Sequence, residues 1–477
     1  MQAKLLLFGL VCALGACSDP SLTPPNDDLG DAPGDLGLPS PDLPTEDILV
    51  SLGRLPGVMV TEKPTNIAGY RFFQILFDQP ADHQKPEGLR FQQRLTLLYR
   101  DRAAQTIFLL SGYGSGTWDR PARAEPTTLL NANQLEVEHR FFTPSIPSPA
   151  DYDLLTIAQA AADHHRIVAA VRPLTIGRWI STGTSKGGMT TVYHRRFYPD
   201  DVDASIPYVA PHSVMSPDQR YVPFVANAGP DPACRQSLAR FQRLALSRRT
   251  EVLARMNAAN YARLGPEKAL EHCVLELPFG FWQYQSPVLC GSIPADNAAF
   301  SAIYSFLNTV GQLGQYDDAD TAYFAPYYYQ SARQLGYPAI DESGVKDLLR
   351  YPGTDNPSDP GYLPMGAKNP TYDPAAMAEV GDWLKRAGQR MLFVYGEYDP
   401  WSAGAFDLGQ AQDSFKFIAP AGNHGSKIRS LADADRQRAL EALSRWTGVT
   451  LQTLTTGLRV LVPAPGAPPE DEALDLA

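Results

Sequence analysis

Residues 179–190 constrain the fold of this chain more than any other segment. The apolar pair Trp179-Ile180 is typical of a short buried strand, and apolar side chains at three- and four-residue steps after position 188 are typical of a helix. Between them lies Gly183-Thr184-Ser185-Lys186-Gly187. Strand, tight turn and helix with a central serine predict a nucleophile elbow, in which small residues two places either side of the serine avoid a clash. We therefore expect Ser185 to be an exposed nucleophile beside the N-terminal N–H groups of a helix.

The first 17 residues predict a targeting signal. Lys4 provides a positive charge, residues 5–14 form an apolar core too short to span a bilayer, and Leu-Gly-Ala-Cys at 14–17 is a processing site. Cysteine at this position is similar to the bacterial lipobox, in which the thiol is diacylated. Residues 1–17 are therefore predicted to be a lipoprotein-type signal peptide with Cys17 as the lipidation site. A plain secretory signal with an incidental cysteine is the alternative.

Two further segments are predicted to be disordered. Residues 18–47 are rich in Pro, Asp and Gly without apolar periodicity, which indicates a tether, and residues 463–477 form an acidic, proline-rich tail. The protein is expected to be exported and lipid-anchored to the bacterial cell envelope, or secreted in soluble form under the alternative signal. The lipid is the only expected contact with a membrane.

Charge and cysteine spacing exclude several classes of ligand. The formal net charge is −11, no block of basic residues occurs, and no Cys/His spacing matches a zinc site. We therefore expect no nucleic-acid partner, no metal and no cofactor. A peptide is the expected partner, for the reasons given below.

The apolar strand at 106–110 runs into a glycine-rich turn at 111–116. The turn lacks the Gly-Lys-Ser/Thr of a phosphate-binding loop. In hydrolases with a nucleophile elbow, the loop after this strand provides one half of the oxyanion hole, and the residue after the nucleophile provides the other. We therefore assign the oxyanion N–H groups to Tyr113 and Lys186, and no chemistry to the Lys186 side chain, which we expect in an ion pair or in solvent.

The rhythm of strands and helices predicts an α/β sheet interrupted by a helical cap. An antiparallel strand pair within 48–100, a strand at 135–142 and a helix at 153–171 precede the elbow. Residues 48–210 are assigned to the first part of the sheet domain, 211–374 to the cap and 375–462 to the second part. The cap is expected to contain long helices at 237–261 and 266–277 and an aromatic cluster.

An alkoxide nucleophile needs a histidine base, and the base needs a carboxylate. In this class the acid and the histidine follow the serine in chain order, each in a turn after a late strand. Asp399 lies in the turn after the strand at 390–395, and His424 lies in the loop after the strand at 415–418. Glu397 competes with Asp399, which we favour because it lies further along the turn. His139 and His212 end strands but do not follow the acid.

These motifs resemble the secreted bacterial prolyl tri/tetrapeptidyl aminopeptidase family of serine peptidases. The resemblance rests on the segments at 182–190, 137–142, 281–284 and 396–401 and extends over about 70–446. It implies an α/β-hydrolase fold with a helical cap, and release of short peptides from a free N-terminus by cleavage after proline. Residue by residue, it implies the triad Ser185, Asp399 and His424, with an acyl-enzyme on Ser185.

Cleavage after proline requires an apolar slot, and a peptide N-terminus requires a carboxylate. Candidate substrate-binding residues are Glu138, Trp282, Tyr284, Trp401 and the tyrosine cluster of the cap at 323–329. Further candidates for the ammonium group are Glu276, Asp317, Asp318 and Asp320. The opposing interpretation is that these aromatic residues form the core of the cap and the acids its solvated surface.

Two other functions stay open on these residues. A carboxylesterase acting on small acyl esters would share the triad. A catalytically dead binding module tethered to the cell surface is a more distant alternative, against which an intact Ser, Asp and His in order argues.

The exported body contains three cysteines after Cys12 and Cys17. Cys273 falls on the apolar stripe of a helix, where a free cysteine acts as a small hydrophobic residue. Cys234 and Cys290 lie at the edges of elements, where the backbone can reach disulfide geometry. We therefore predict a Cys234–Cys290 disulfide within the cap.

Overall fold

The structure of the protein is a computed structural model that describes residues 46–451. The predicted signal peptide with Cys17, nearly all of the predicted tether and the predicted tail at 463–477 lie outside the described residues. Asp47, the last residue of the predicted tether, caps the first helix by accepting a hydrogen bond from the Leu49 N–H.

Within residues 46–451, nine strands form one mixed sheet in the order β1-β2-β3-β5-β4-β6-β7-β8-β9. The strands are β1 Val58–Lys63, β2 Arg71–Pro80, β3 Arg90–Tyr99, β4 Thr106–Leu110, β5 Asn133–Val137, β6 Trp179–Thr184, β7 Ala204–Tyr208, β8 Leu392–Gly396 and β9 Phe415–Ala419. The first three strands pair antiparallel, β3 and β5 also pair antiparallel, and β5-β4-β6-β7-β8-β9 is parallel throughout. The parallel part brings the carboxyl ends of β4, β6, β8 and β9 to one edge.

Helices cover both faces of this sheet. Successive residues of a strand point to opposite faces, and Ile107 and Phe108 of β4 accordingly belong to two different hydrophobic clusters. The helices are α1 Ile48–Gly53, α2 Glu125–Leu130, α3 Ile157–Val171, α4 Lys186–Phe197, α5 Tyr221–Asn227, α6 Pro232–Ser247, α7 Arg249–Arg255, α8 Pro266–Tyr284, α9 Phe300–Thr309, α10 Asp318–Gln330, α11 Pro374–Ala387 and α12 Asp433–Thr447. A nucleophile elbow at the end of a central parallel strand, with helices on both faces, is the α/β-hydrolase fold.

Helices α5–α10 lie within residues 211–374, where the sequence predicts a cap, and α11 follows them before β8. One hydrophobic cluster joins buried residues from Ala228 to Tyr362, and it is separate from the clusters of the sheet. In contrast, Met377, Val380 and Leu384 of α11 pack with residues of α4 and β8. The inserted helices up to α10 therefore have a core of their own.

Several expected elements differ from those observed. The sequence predicts one antiparallel strand pair before β4, and the structure adds β1 as a third strand. The strand expected to reach residue 142 ends at Val137, shortly before Phe141, which adopts a φ of 69° that a strand cannot accommodate. The helix expected at 237–261 is divided into α6 and α7 at Arg248, and the helix expected to end at Leu277 continues to Tyr284.

The cap contains the expected disulfide. Cys234, at the start of α6, is bonded to Cys290. Cys273 is a free, buried cysteine on α8, as its position on the apolar stripe predicts.

Across residues 46–451, no helix combines the length and the apolar character that crossing a membrane requires. The same residues contain no convergent group of three or more His, Cys, Asp or Glu side chains suited to a metal ion.

Candidate active site

Ser185 lies in the turn between β6 and α4 with φ 56° and ψ −122°. Its backbone is held in this strained conformation by a hydrogen bond of 2.9 Å from the Ser185 N–H to the Tyr208 carbonyl of the neighbouring strand. The flanking glycines are required by close approach, because a Cβ atom at Gly183 would lie 2.3 Å from the Gly187 carbonyl oxygen and one at Gly187 would lie 2.5 Å from that of Leu110. The elbow geometry expected from the sequence is therefore present.

His424, in the loop after β9, contacts Asp399, in the turn after β8. The His424 Nδ1 atom lies 2.7 Å from Asp399 Oδ2, and the Asp399 side chain is fully buried. The other carboxylate oxygen of Asp399 accepts the N–H of Trp401, which fixes the carboxylate at the start of the next turn. The His424 Nε2 atom is buried and has no hydrogen-bond partner among the described residues. It is the nitrogen that a triad uses to accept the serine proton.

Two contacts position the loop that carries His424. The Lys427 ammonium donates a hydrogen bond of 2.8 Å to the hydroxyl of Thr184, the residue before the nucleophile. The backbone N–H of His424 donates to the Gln283 carbonyl near the end of α8 at 2.9 Å. The histidine loop is therefore fixed to the elbow on one side and to the cap on the other.

Glu397, the competing acid, lies elsewhere in the same turn. Its carboxylate accepts the N–H of Ala421, and the residue is exposed. In the structure Asp399, and not Glu397, contacts His424.

The two residues assigned to the oxyanion hole lie next to each other. A Cβ atom at Gly112 would meet the Gly187 N atom at 2.6 Å, so the glycine-rich turn packs directly on the start of α4. The Tyr113 N–H is engaged in this structure, where it donates to the Ser111 hydroxyl at 3.0 Å. An oxyanion at this position would have to share that N–H with Ser111.

The Lys186 side chain corrects our expectation of an ion pair or solvent. It is buried with 1% exposure, and its ammonium donates to the Gly112 carbonyl at 2.5 Å. The nitrogen also lies 5.6 Å from the ring centre of Tyr113 and 5.4 Å from that of Phe142, which are cation–π distances. Burial lowers the pKa of the Lys186 ammonium well below its usual range. Lys186 thus fastens the elbow to the glycine-rich turn.

Two buried glutamates hold the rest of that turn. Glu136 accepts the N–H groups of Gly116 and Thr117 at 3.0 and 3.1 Å. Glu138, a candidate for substrate binding, accepts the Ser115 N–H at 2.9 Å and the Ser145 hydroxyl at 2.6 Å. Because both oxygens of Glu138 are bonded within the protein, its observed contacts are those of a loop support. Burial raises the pKa of Glu138 to about 7.

The aromatic candidates separate into two groups. The rings of Trp401 and Tyr284 lie 6.2 and 6.3 Å from the ring of His424, and both residues are partly accessible. Trp282 is instead completely buried in the core of the cap, where a Cβ atom at Gly229 would lie 2.0 Å from its ring. Trp282 therefore has no surface that a substrate could contact in this structure, which leaves Trp401 and Tyr284 as the accessible aromatic candidates beside His424.

A row of tyrosines on α10, which belongs to the tyrosine cluster considered for the apolar slot, reaches the glycine-rich turn. The Tyr323 hydroxyl accepts the Gly114 N–H at 3.2 Å, and the Tyr327 ring lies 5.7 Å from that of Tyr113. The sequence shows an aromatic cluster here, but the spacing alone does not tell which rings point toward the elbow.

The remaining histidines near the sheet edge are satisfied internally. His139 is fully buried between the Arg140 carbonyl and the Tyr193 hydroxyl. His212 bonds to the Met377 carbonyl and stacks on Phe406. Burial lowers the pKa of both imidazoles.

Comparison with known proteins agrees with this geometry. The family model of PS-10 peptidase S37 matches residues 43–458. The prolyl tri/tetrapeptidyl aminopeptidase of Streptomyces mobaraensis is 41% identical over 425 residues, which cover 86% of this chain and 87% of that protein.

Similar solved structures are distant. The proline iminopeptidase of Mycobacterium smegmatis is 12% identical, with 80% of this chain and 97% of that chain covered and a TM-score of 0.34. A peroxisomal α/β-hydrolase of Saccharomyces cerevisiae is also 12% identical, with 85% and 92% covered and a TM-score of 0.33. The family model matches most of this chain, which shows that the chain belongs to the PS-10 peptidase S37 family and is a serine peptidase.

Proposed function

We propose that the protein is an exopeptidase that releases short peptides from free N-termini by cleavage after proline. The observation that carries this proposal is the 2.7 Å contact between His424 Nδ1 and Asp399, with His424 Nε2 buried and unpartnered on a loop bonded to the elbow. The specificity rests on the 41% identical relative, which is a prolyl tri/tetrapeptidyl aminopeptidase.

In the proposed reaction Ser185 Oγ attacks the carbonyl carbon of the proline residue while His424 Nε2 accepts the serine proton. Asp399 holds the other imidazole nitrogen and stabilises the imidazolium. The N–H groups of Lys186 and Tyr113 stabilise the oxyanion. The imidazolium then protonates the leaving amine, and water, deprotonated by His424, hydrolyses the acyl-enzyme on Ser185.

The proline slot is proposed to lie between Trp401 and Tyr284. Both rings flank His424 and both are partly accessible. Flat aromatic faces suit a pyrrolidine ring, which buries its apolar surface without requiring a hydrogen bond. The helical cap, assigned to residues 211–374, would enclose the substrate.

A panel of anilides tests this function. Tripeptide and tetrapeptide anilides ending in proline, with free or acetylated N-termini, should be compared with alanine anilides and small acyl esters. Cleavage only of the free-amine proline anilides is expected, with Ser185→Ala about 10⁴-fold slower or more. Turnover of esters alone would indicate a carboxylesterase. No labelling of Ser185 by a fluorophosphonate would indicate a binding module.

We also propose that the protein is exported and anchored through a lipid on Cys17. The support is the apolar segment followed by Leu-Gly-Ala-Cys at 14–17. Metabolic labelling with an alkyne fatty acid should mark the wild-type chain and not Cys17→Ser. Unlabelled protein in the culture fluid, cleaved at another site, would indicate an ordinary secretory signal.

A further inference from the structure

Two carboxyl groups meet inside the cap without a cation. The carboxyl of Glu276, on α8, faces that of Asp355, and the Asp355 side chain is 2% exposed. Glu276 accepts hydrogen bonds from the hydroxyls of Tyr316 and Tyr337 at 2.9 and 3.1 Å. No N–H or hydroxyl group of the described residues donates to Asp355, whose hydrogen-bond contact is with the Glu276 carboxyl. Burial raises the pKa of both carboxyls, and for Asp355 the negative charge of Glu276 adds to this effect.

No described lysine or arginine neutralises this pair. The nearest basic side chain is His272, whose Nδ1 atom lies 3.8 Å from Asp355. Both nitrogens of that ring are engaged, by the Tyr362 and Thr354 hydroxyls, and burial lowers its pKa to about 4. The histidine is therefore neutral at physiological pH. Two buried carboxyls with no cation are costly unless they share a proton or a cation enters.

Of the two acids, Glu276 lies on a partly accessible face of α8, and the carboxylate oxygens of Asp355 are buried behind it. Along α8, Glu276, Gly280 and Gln283 are partly accessible, as is Pro278, whereas Val274, Leu277 and Phe281 are buried. The steps between Glu276, Gly280 and Gln283 place these three residues on one face of the helix. The Tyr337 ring, whose hydroxyl donates to Glu276, lies 6.4 Å from Tyr327, which in turn contacts Tyr113 of the glycine-rich turn.

The distance along α8 matches the length of a short peptide. Gln283, whose carbonyl accepts the His424 N–H, follows Glu276 by seven residues. A rise of about 1.5 Å per residue separates the two positions by roughly 10 Å. Three residues of extended peptide span about the same distance, at most roughly 3.3–3.6 Å each.

We propose that Glu276 and Asp355 bind the N-terminal ammonium of the substrate, with α8 as the spacer that sets the distance from this group to Ser185. This inference rests on the proposed function. An ammonium offers three N–H donors, which could bond to both carboxyls and neutralise the pair. Asp317 and Asp318, considered from the sequence, bond to backbone N–H groups of Ala319, Asp320, Ala262 and Arg263 instead.

The test compares Glu276→Gln and Asp355→Asn with Glu267→Gln, a matched control near the start of the same helix whose carboxylate pairs with exposed Arg350. The substrates are a free tripeptide anilide ending in proline and its N-acetyl derivative. We expect Glu276→Gln to lower kcat/KM for the free substrate about 30-fold or more, chiefly through KM, because a buried charge contact is lost. Turnover of the acetylated substrate, which we expect to be near background in wild type, should stay near background in both variants, and Glu267→Gln should match wild type.

The outcomes separate this inference from the proposed function. If wild type prefers the free amine and both variants keep that preference, the ammonium site is wrong and the exopeptidase function stands. If wild type cleaves both substrates equally well, both proposals are wrong. The rate of fluorophosphonate labelling at Ser185 reports whether each variant is folded, and Tyr337→Phe, which removes one donor to Glu276, provides a milder variant if Glu276→Gln does not fold. A Tyr337→Phe protein with unchanged KM for the free substrate would also contradict the site.

Discussion

The side chain of Lys186 holds the glycine-rich turn against the elbow. Its side-chain nitrogen donates to the Gly112 carbonyl and lies over the Tyr113 and Phe142 rings, and no carboxylate of residues 46–451 forms an ion pair with it. A buried charged group without a counter-ion lowers the stability of the folded protein. We therefore explain the buried Lys186 side chain by what it positions and not by a gain in stability. It fixes the turn that carries the Tyr113 N–H against the elbow.

Lys186→Met tests this role. Methionine fills a similar volume and removes both the bond to Gly112 and the buried charge. We expect kcat to fall about 10- to 100-fold while the melting temperature stays equal or rises, because replacing a buried charged group by an apolar one is often neutral or stabilising. Thermal unfolding and steady-state kinetics measure the two quantities. A variant with wild-type kcat would contradict the positioning role.

The titration of Glu138 makes the free energy of unfolding depend on pH. Burial raises its pKa to about 7, whereas a glutamate in an unfolded chain titrates near about 4.3. Between these values the folded protein holds a proton that the unfolded chain has lost. The stabilisation is therefore complete below about pH 4.3 and is lost as the pH rises to about 7, by at most about 4 kcal/mol.

Glu138→Gln should remove this dependence. The amide keeps an acceptor for the Ser115 N–H and a donor for the Ser145 hydroxyl, but it does not titrate. Chemical denaturation at pH 5, 6, 7 and 8 should show a shallower loss of unfolding free energy than in wild type. Glu397→Gln, which removes an exposed carboxyl, is the matched control, and parallel wild-type and Glu138→Gln curves would refute the prediction.

At the residue scale, the sequence predicts the features that depend on steric contacts within a short segment of the chain. The spacing of Gly183 and Gly187 around Ser185 predicts the elbow because a Cβ atom at either position would clash with backbone. The role of Lys186 could not be predicted, because its partner Gly112 is distant in sequence. The burial of Trp282 depends likewise on a tertiary contact, with Gly229.

At the scale of elements, α8 continues through Pro278, where sequence rules end a helix. Proline has no N–H, so the Val274 carbonyl one turn earlier loses its usual partner. The Gln242 side chain on α6 donates to that carbonyl at 2.7 Å. The helix therefore reaches Gln283 and Tyr284 at the histidine loop because a neighbouring helix replaces the missing donor, which the sequence of α8 alone cannot show.

Gln242→Leu should destabilise the protein by about 1–3 kcal/mol, since it leaves a buried carbonyl without a donor. In the background of Pro278→Ala, which restores the N–H, the same substitution should cost less. A double-mutant cycle on the free energy of unfolding measures this coupling. Equal costs in both backgrounds would show that Gln242 does not compensate for the proline.

At the scale of the whole molecule, the sequence predicts the order of the catalytic residues along the chain better than it predicts where each helix begins and ends. The chain order of Ser185, Asp399 and His424 predicts their approach because parallel strands end at one edge. The division of the long cap helix at Arg248 was missed. Arg249 there forms an ion pair of 2.5 Å with Glu271, buried and distant in sequence.

The Cys234–Cys290 disulfide should contribute to the stability of the cap and, through it, to the active site. It closes a separation of 56 residues, which restricts the unfolded chain by about 4 kcal/mol in the chain-entropy description. The bond joins the start of α6 to the segment that follows α8, and the end of α8 contacts the histidine loop through Gln283 and Tyr284. A less rigid cap should therefore also hold His424 less firmly in position.

We expect the double variant Cys234→Ser, Cys290→Ser to lose about 2–4 kcal/mol of unfolding free energy and to lose activity at a lower temperature than wild type. Reductant should shift wild-type protein in the same direction and leave the double variant unchanged. Cys273→Ala, which removes the buried free thiol, should keep the response to reductant because it retains the bond. Thermal denaturation and residual activity after heating, each with and without reductant, measure these shifts. If reductant does not affect wild-type protein while mapping shows the bond broken, the disulfide does not stabilise the cap.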